Sequence, residues 1–169
     1  MLAAGKDVCD LTVGDFDPKY FPIPEKLRDA AKKALDDGAT NYPPSNGIPK
    51  LRESVQRFYA RHLGLQYPID SILVAAGARP LIYALFRVVV EPGDTVSYPV
   101  PCRNYPFYAE ILNANGDAVI CSPEAAFQPR PGALDAAIKK ASLIIVNTPL
   151  NPAGTVTPRA AVLKLSEDI

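Results

Sequence analysis

Residues 72–80 read ILVAAGARP, a short apolar run that ends in a glycine. A run of this length and composition predicts a buried strand over residues 72–76. Gly77 permits a tight turn, and a helix is predicted over residues 79–90. A helix that follows a strand in this way points its first N–H groups above the sheet, where they favour phosphate. Many α/β proteins also carry a glycine there for packing alone, so the stretch leaves both interpretations open.

The alternation of strand and helix continues beyond this stretch. The Glu91-Pro92-Gly93-Asp94 segment predicts a tight turn into a strand over residues 95–98. Further strands are predicted at 118–121 and 143–146, and helices at 105–112, at 134–140 and from an N-cap at Thr157 with Pro158 in the first helical position. Such alternation implies a mostly parallel sheet with helices on both faces, so the predicted fold class is α/β.

The first part of the chain has a different character. Prolines break residues 15–24, a helix is predicted from Glu25 until Gly38 stops it, and another from Pro49 to about His62. At the other end, an apolar stripe that includes Leu165 continues to Ile169, so the sequence is expected to stop within a helix and to have lost its continuation.

Charge and composition exclude several classes of function. Eighteen Lys and Arg balance eighteen Asp and Glu, which argues against nucleic acid or a membrane as the main partner. Three widely spaced cysteines predict a reducing, cytoplasmic location without disulfides or a zinc knuckle. Residues 1–11 do not resemble a signal peptide, and the apolar stretch 81–90 is too short to cross a bilayer. The single histidine, His62, is interpreted as a cation near a helix C-terminus and not as a member of a catalytic triad.

A second polar loop is predicted at a strand end. Residues 147–155 read NTPLNPAGT and follow the apolar strand 143–146. The carboxyl ends of strands are where open α/β sheets bind ligands, so an asparagine amide is expected against a ligand. An Asx-type turn that closes the loop explains the same residues equally well.

Four segments together resemble a known family. Residues 41–52, NYPPSNGIPKLR, resemble the Tyr-x-x-x-x-Gly-x-x-x-Leu-Arg signature of class I/II aminotransferases, which use pyridoxal 5'-phosphate. The strand–Gly-Ala–helix, Pro92-Gly93-Asp94 and Asn151-Pro152-Ala153-Gly154 segments match further family elements in order. The resemblance runs from about Leu11 to the end. It implies the aspartate aminotransferase fold (fold type I), with residues 1–44 as an N-terminal arm and small-domain segment and residues 45–169 as an incomplete cofactor-binding large domain.

The resemblance also implies a role for each matched residue. Asn151 matches the asparagine that hydrogen-bonds the phenolic oxygen of the cofactor ring, and the amides at Gly77, Ala78 and Arg79 match the phosphate-binding turn. Tyr42 matches a tyrosine that reaches the phosphate of the neighbouring subunit, which implies a homodimer with shared sites. Gly14 matches a mobile glycine near the substrate carboxylate.

Three features depart from the family pattern. Arg103 stands where an aromatic residue usually stacks on the cofactor ring; a guanidinium can stack there, Tyr105 can take its place, or the stack is absent. Ala153 replaces a threonine. The lysine that forms the Schiff base, the aspartate on the pyridine nitrogen and the arginine for the substrate carboxylate come later in the family and have no match in residues 1–169, so no catalytic residue is assigned. Lysines such as Lys50, Lys139 and Lys164 are interpreted as solvated charges.

The resemblance implies a transaminase that moves an amino group between an amino acid and a 2-oxo acid, represented here by a segment that is inactive alone. Three alternatives remain open. A lyase of the same fold shares the cofactor. A non-catalytic homologue that binds a partner fits Arg103 and the missing lysine. A flavodoxin-like binder of phosphate or nucleotide explains Gly77, but it explains neither Tyr42 nor Asn151.

Overall fold

The tight turn at residues 91–94 leads into β1 (Thr95–Val100), the central strand of a three-stranded parallel sheet. The structure is a computed structural model that describes residues 14–130 and 132–168. β2 (Asn115–Ile120) pairs with the full length of β1, and β3 (Leu143–Ile144) pairs with Val96 and Ser97 on the other side. The strand order is therefore β2-β1-β3, and the predicted parallel α/β sheet is confirmed.

The helices of the described chain begin and end close to the predicted positions. They are α1 (Glu25–Asp36), α2 (Pro49–Leu63), α3 (Ala78–Val89), α4 (Tyr105–Ile111), α5 (Ala133–Ile138) and α6 (Arg159–Glu167). Gly38 follows α1 with φ +74°, in the left-handed region that favours glycine after a helix, and His62 lies in the last turn of α2. Short 3₁₀ turns occur at Ile69–Ser71 and Pro123–Ala125.

The main core lies on one face of β1. Val96 and Tyr98 point toward α3 and α4, where they meet Phe86, Ala109 and Leu112 in a cluster that also includes Val90. The rings of Phe86 and Tyr108 pack edge to face with centroids 5.4 Å apart and so join α3 to α4. Ser97 and Pro99, which alternate with these residues, face the opposite side together with Leu134 of α5. Helices therefore cover both faces, as predicted.

The chain divides into two compact units, residues 1–48 and 49–169. Within the described part of the first unit, α1 is the main element. The sheet and α2 to α6 belong to the second unit. Leu11 and Ile169, named above, and Cys9, the first of the three cysteines, lie outside the described residues, as do the rest of residues 1–13 and residue 131.

Two local predictions are wrong. Residues 72–76 do not form a strand: Ile72 is extended, with φ −105° and ψ 116°, but no described strand lies beside it to share a ladder of hydrogen bonds. The N-cap of α6 is Pro158 and not Thr157, because Pro158 keeps an extended ψ of 138° and the helix begins one residue later. The amide of Thr157 instead donates to Thr148 Oγ1 at 2.9 Å.

An arginine side chain supplies some of the hydrogen bonds that a neighbouring strand would otherwise make to the segment before Gly77. Arg52 of α2 is 8% exposed, and its Nε and Nη2 donate to the carbonyl oxygens of Ile72 and Ile69 at 2.8 and 2.5 Å. The amide of Gln56 adds a contact of 2.7 Å to the carbonyl of Tyr67. The chain that leads to Gly77 is thus fixed to α2 by side chains and not by a neighbouring strand.

Candidate functional site

A cleft of about 800 Å³ opens at the carboxyl ends of β1 and β3. β1 and β3 are the neighbouring strands between which the strand order reverses. Open α/β sheets bind ligands at this point, beyond the carboxyl ends of the strands. The volume falls within the range of small-molecule sites. The lining comes from the start of α3, from the segment after β1 and from the loop after β3, and consists of Ala78, Arg79, Ile82, Cys102, Arg103, Asn104, Tyr105, Pro106, Phe107, Tyr108, Asn147 and Asn151.

The N-terminus of α3 supplies backbone donors to this cleft. Gly77, the N-cap, has φ +103° and ψ 169°, a conformation that is essentially restricted to glycine. It allows the chain to turn sharply into the helix. The amides of Ala78 and Arg79 lie in the first turn, where N–H groups have no partner inside the helix, and no side chain caps them. These two donors and the positive end of the helix dipole are suited to an anion.

The guanidinium of Arg79 is tied to the opposite wall. Its Nη2 donates to Asn104 Oδ1 at 2.8 Å, across 25 positions of sequence. Asn104 is the residue before α4 and has φ +56°. Asn104 could not be selected from the sequence, because its contact depends on a partner that only folding brings near.

The loop after β3 uses its two asparagines differently. The backbone N–H of Asn151 donates to Asn147 Oδ1 at 2.9 Å, a side-chain closure that spans four residues and not the two of an Asx turn, while both residues line the cleft. The amides of Leu150 and Gly154 close the loop further through Thr155 and Leu150 carbonyls, at 2.8 and 2.6 Å. The two interpretations of this loop are therefore compatible: Asn147 closes the turn, and Asn151 sits on a fixed backbone at the cleft wall.

The segment after β1 brings the cation Arg103 and two half-buried groups to the cleft. Arg103 is exposed, whereas Tyr105 packs against the core cluster. Burial raises the pKa of the Tyr105 phenol, with smaller contributions from Cys102 and Tyr108, so the phenol stays protonated at neutral pH. Burial likewise raises the pKa of the Cys102 thiol, which makes it a poor nucleophile.

The charge of the lining is one-sided. Two arginines and no carboxylate contribute to it, so the cleft carries a positive potential suited to an anionic ligand. No lysine lines it either. Lys140 and Lys164 pair instead with Asp117 and Asp135, outside the cleft, at 2.7 and 3.0 Å.

The structure brings four of the seven selected residues into one cleft. Ala78, Arg79, Arg103 and Asn151 line it, and Gly77 precedes the first of them directly. Gly14 and Tyr42 belong to the first unit, where both are exposed.

The described residues contain neither a metal-binding cluster nor a helix that could span a membrane. Within residues 14–130 and 132–168, no group of three or more His, Cys, Asp or Glu could hold a metal ion. No helix in that part of the chain has both the length and the apolarity needed to span a membrane. Cys102 and Cys121 are free thiols.

The fold and the cleft define an α/β protein with an arginine-lined cleft at the carboxyl ends of two parallel strands. A family model described as aminotransferase class I and II matches residues 6–168, and the chain belongs to this family. The family resemblance inferred from the sequence is thereby confirmed.

Individual relatives agree with this assignment. The chain is 34% identical over 169 residues to an aspartate aminotransferase of Geobacillus stearothermophilus, which covers 99% of this chain and 42% of the relative. It is 35% identical over 151 residues to an aspartate aminotransferase of Pyrococcus horikoshii, covering 88% and 38%. The solved structure of aspartate aminotransferase from Thermus thermophilus with maleate superposes with a TM-score of 0.87 at 32% identity, over 99% of this chain and 44% of that one. The chain thus spans about two fifths of the length of the curated relatives it matches.

Proposed function

We propose that this chain forms the cofactor-binding part of an aminotransferase that uses pyridoxal 5'-phosphate to move an amino group between an amino acid and a 2-oxo acid. Family membership supports the reaction class, and one structural observation supports the site: three segments that are separate in sequence, with Ala78 and Arg79, Arg103, and Asn151, line one cleft. We further propose that residues 1–44 act as an arm and small-domain segment and residues 45–169 as an incomplete large domain.

The donors in the cleft fit the chemical groups of this cofactor. A phosphate dianion needs N–H donors and positive charge, which the amides of Ala78 and Arg79 and the guanidinium of Arg79 offer together. A phenolic oxygen needs a donor at a fixed position, and the side-chain amide of Asn151 sits on a closed loop. The lining contains no carboxylate, so it does not repel the phosphate or the phenolic oxygen.

Each residue of the chain would hold one part of the cofactor. The start of α3 would bind the phosphate, Asn151 would orient the ring through its phenolic oxygen, and Arg103 would cover the ring face in place of an aromatic residue. The exposed side chain of Arg103 supports that role, since Tyr105 is already packed into the core. When bound, pyridoxal phosphate would supply the electron sink for the reaction.

Other parts of the function depend on groups outside the cleft. The cleft has no lysine, so these residues would bind the cofactor without a covalent bond, and the chain alone would not turn over substrate. Tyr42, whose side chain is fully exposed, would reach the phosphate of a second subunit in a homodimer, and Gly14 would lie near the substrate. The neutral charge balance and wide cysteine spacing support a cytoplasmic location, with neither nucleic acid nor a membrane as partner.

Binding of pyridoxamine 5'-phosphate tests the proposal directly. This form has no aldehyde, so it cannot form adventitious bonds with surface lysines, and fluorescence titration of the 169-residue chain reports recognition alone. We expect it to bind at least about tenfold more tightly than pyridoxamine, because the phosphate makes charge-assisted hydrogen bonds at the start of α3. Equal affinity for the two compounds, or no binding of either, would exclude the proposed site.

Two glycine variants provide a matched comparison. Gly77→Ala forces a residue with Cβ into φ +103°, and we expect it to move the α3 amides and weaken binding of pyridoxamine 5'-phosphate about tenfold. Gly64→Ala, at φ +68° after α2 and outside the cleft, is the control that should keep the affinity of the original chain. Equal losses of affinity in both variants would mean that the turn at Gly77 has no specific role.

A further inference from the structure

Arg79 occupies a position that does not favour helix stability. It lies in the first turn of α3, where the helix dipole is positive and acidic side chains are preferred, and that turn has no acidic residue. Within residues 49–130 and 132–168, no carboxylate pairs with it. The guanidinium therefore adds positive charge at the point where the backbone already presents it. An anion bound there would compensate both the guanidinium charge and the positive end of the helix dipole.

Asn104 does not perform the usual task of an asparagine before a helix. A residue at that position normally has extended backbone angles and caps its own helix with its side-chain oxygen. Asn104 has φ +56° and ψ −33°, makes no such cap to α4, and uses Oδ1 to accept the hydrogen bond from Arg79 Nη2 at 2.8 Å. The acceptor is thus directed across the cleft, toward α3.

The neutral charge of Asn104 matters as much as its geometry. A guanidinium has five N–H donors, and one bond to an amide oxygen leaves the others free while the charge stays uncompensated. An aspartate in the same place would hold Arg79 equally well but would cancel its charge. Both residues line the cleft together with Ala78, whose amide is the first free donor of α3.

We propose that Asn104 is a positioning residue that holds the Arg79 guanidinium beside the start of α3, so that this side chain joins the backbone amides in binding the phosphate of the cofactor. The inference rests on the proposed function, and it adds a requirement of its own. The preference for a phosphorylated ligand depends on the Arg79 side chain, and Asn104 contributes to that preference only through Arg79.

A double-mutant cycle on the full 169-residue chain tests this dependence. Asn104→Gly keeps the positive φ available but removes the acceptor, and we expect pyridoxamine 5'-phosphate to bind about fivefold more weakly while pyridoxamine binding stays unchanged. Arg79→Ala should weaken binding of the phosphorylated ligand about tenfold or more. When Arg79 is already alanine, adding Asn104→Gly should change the affinity less than twofold, since the residue then has nothing to position.

Two further measurements separate positioning from a general effect on folding. Asn104→Asp keeps an acceptor and tolerates the same backbone, yet it should weaken phosphate binding more than Asn104→Gly because it neutralises Arg79. Raising the salt concentration should reduce the preference for the phosphorylated ligand in the original chain more than in Arg79→Ala. If Asn104 had only a structural role, Asn104→Asp would not bind the phosphorylated ligand more weakly than Asn104→Gly. The effect of salt would then also be the same with and without the Arg79 side chain.

The outcomes distinguish this inference from the proposed function. If the original chain prefers pyridoxamine 5'-phosphate but Asn104→Gly has no effect, or has the same effect with and without Arg79, the inference is overturned and the cofactor site stands. If the original chain shows no preference, the proposed function fails first and this inference with it. Should Asn104→Gly fold poorly, as judged by its thermal melt, the comparison between Asn104→Asp and the original chain decides: an affinity for the phosphorylated ligand equal to that of the original chain overturns the inference.

Discussion

Two apolar runs of similar composition, residues 72–76 and 143–146, have different structures in the same folded unit. Leu143 and Ile144 pair with β1 and become a strand, whereas residues 72–76 have no paired strand among the described residues, and Leu73 is 53% exposed. Local preference alone does not explain the difference, because both runs are aliphatic and residues 72–74 are as apolar as residues 143–145. A parallel strand exists only where a neighbour completes its hydrogen bonds, and Arg52 supplies a partial substitute for the first run.

The same contrast extends to packing. The sheet side of this unit contains a closed cluster around Phe86 and Val96, both fully buried. The side built on α2 and residues 72–76 is held by a buried arginine and by backbone carbonyls. The first region should therefore respond mainly to loss of apolar volume, and the second to loss of hydrogen-bond donors.

The largest expected effect is in the core cluster. Phe86→Ala should lower the free energy of unfolding by about 3–5 kcal/mol, since it removes a fully buried aromatic ring and leaves a cavity. Phe107→Ala is the matched control: its ring is 63% exposed, so the change should be within about 0.5 kcal/mol. Urea denaturation followed by circular dichroism measures both. Similar losses in the two variants would contradict the core described for the sheet.

An intermediate effect is expected at Arg52. Arg52→Met keeps much of the apolar stem but leaves the carbonyls of Ile69 and Ile72 without their donor, which should cost about 2 kcal/mol of the free energy of unfolding. Arg57→Met, in the same helix, removes an exposed pair with Glu53 and an exposed hydrogen bond to Ser54 Oγ, and should cost at most about 0.5 kcal/mol.

The same denaturation curves check the Arg52 prediction. An Arg52 variant as stable as the Arg57 variant would show that residues 72–76 are held by something other than this side chain. Such a result would remove the contrast between the two apolar runs.

The smallest effect is a change in the acid response of the sheet. Lys140 and Ser97 both donate to Asp117, at 2.7 and 2.6 Å, and lower the pKa of this carboxyl below its ordinary value near 3.8, with burial opposing them. Because the folded pKa lies below the unfolded one, the stabilisation is complete above about pH 4 and is lost as the pH falls through the folded pKa.

Asp117→Asn should therefore flatten the loss of stability below pH 4 and cost about 1 kcal/mol or less at neutral pH. Glu110→Gln changes an exposed carboxyl and should leave the acid response as it is. Denaturation curves collected between pH 2 and pH 7 give the comparison. An unchanged acid slope in Asp117→Asn would show that the network of Asp117, Ser97 and Lys140 does not stabilise the sheet.

Much of the fold and of the site could be predicted from sequence, and the failures have identifiable causes. Gly77 was predictable because its conformation excludes residues with a Cβ, and Asn151 because polar loops after buried strands face ligands. Asn104 was not selected, because no local pattern marks it and it acts through a hydrogen bond to Arg79, 25 positions away. Asn147 lies in the loop for which a side-chain closure was predicted, and the structure shows that its oxygen accepts the N–H of Asn151 in the same loop.

The amino-acid sequence by itself determined the fold class, the family and most helix boundaries, because periodicity, prolines and glycines act over a few residues at a time. Only the tertiary structure decided which apolar run became a strand. It also decided that Arg79, Arg103 and Asn151 line the same cleft. These outcomes depend on partners distant in sequence, and no local preference encodes which of several possible neighbours a segment will meet.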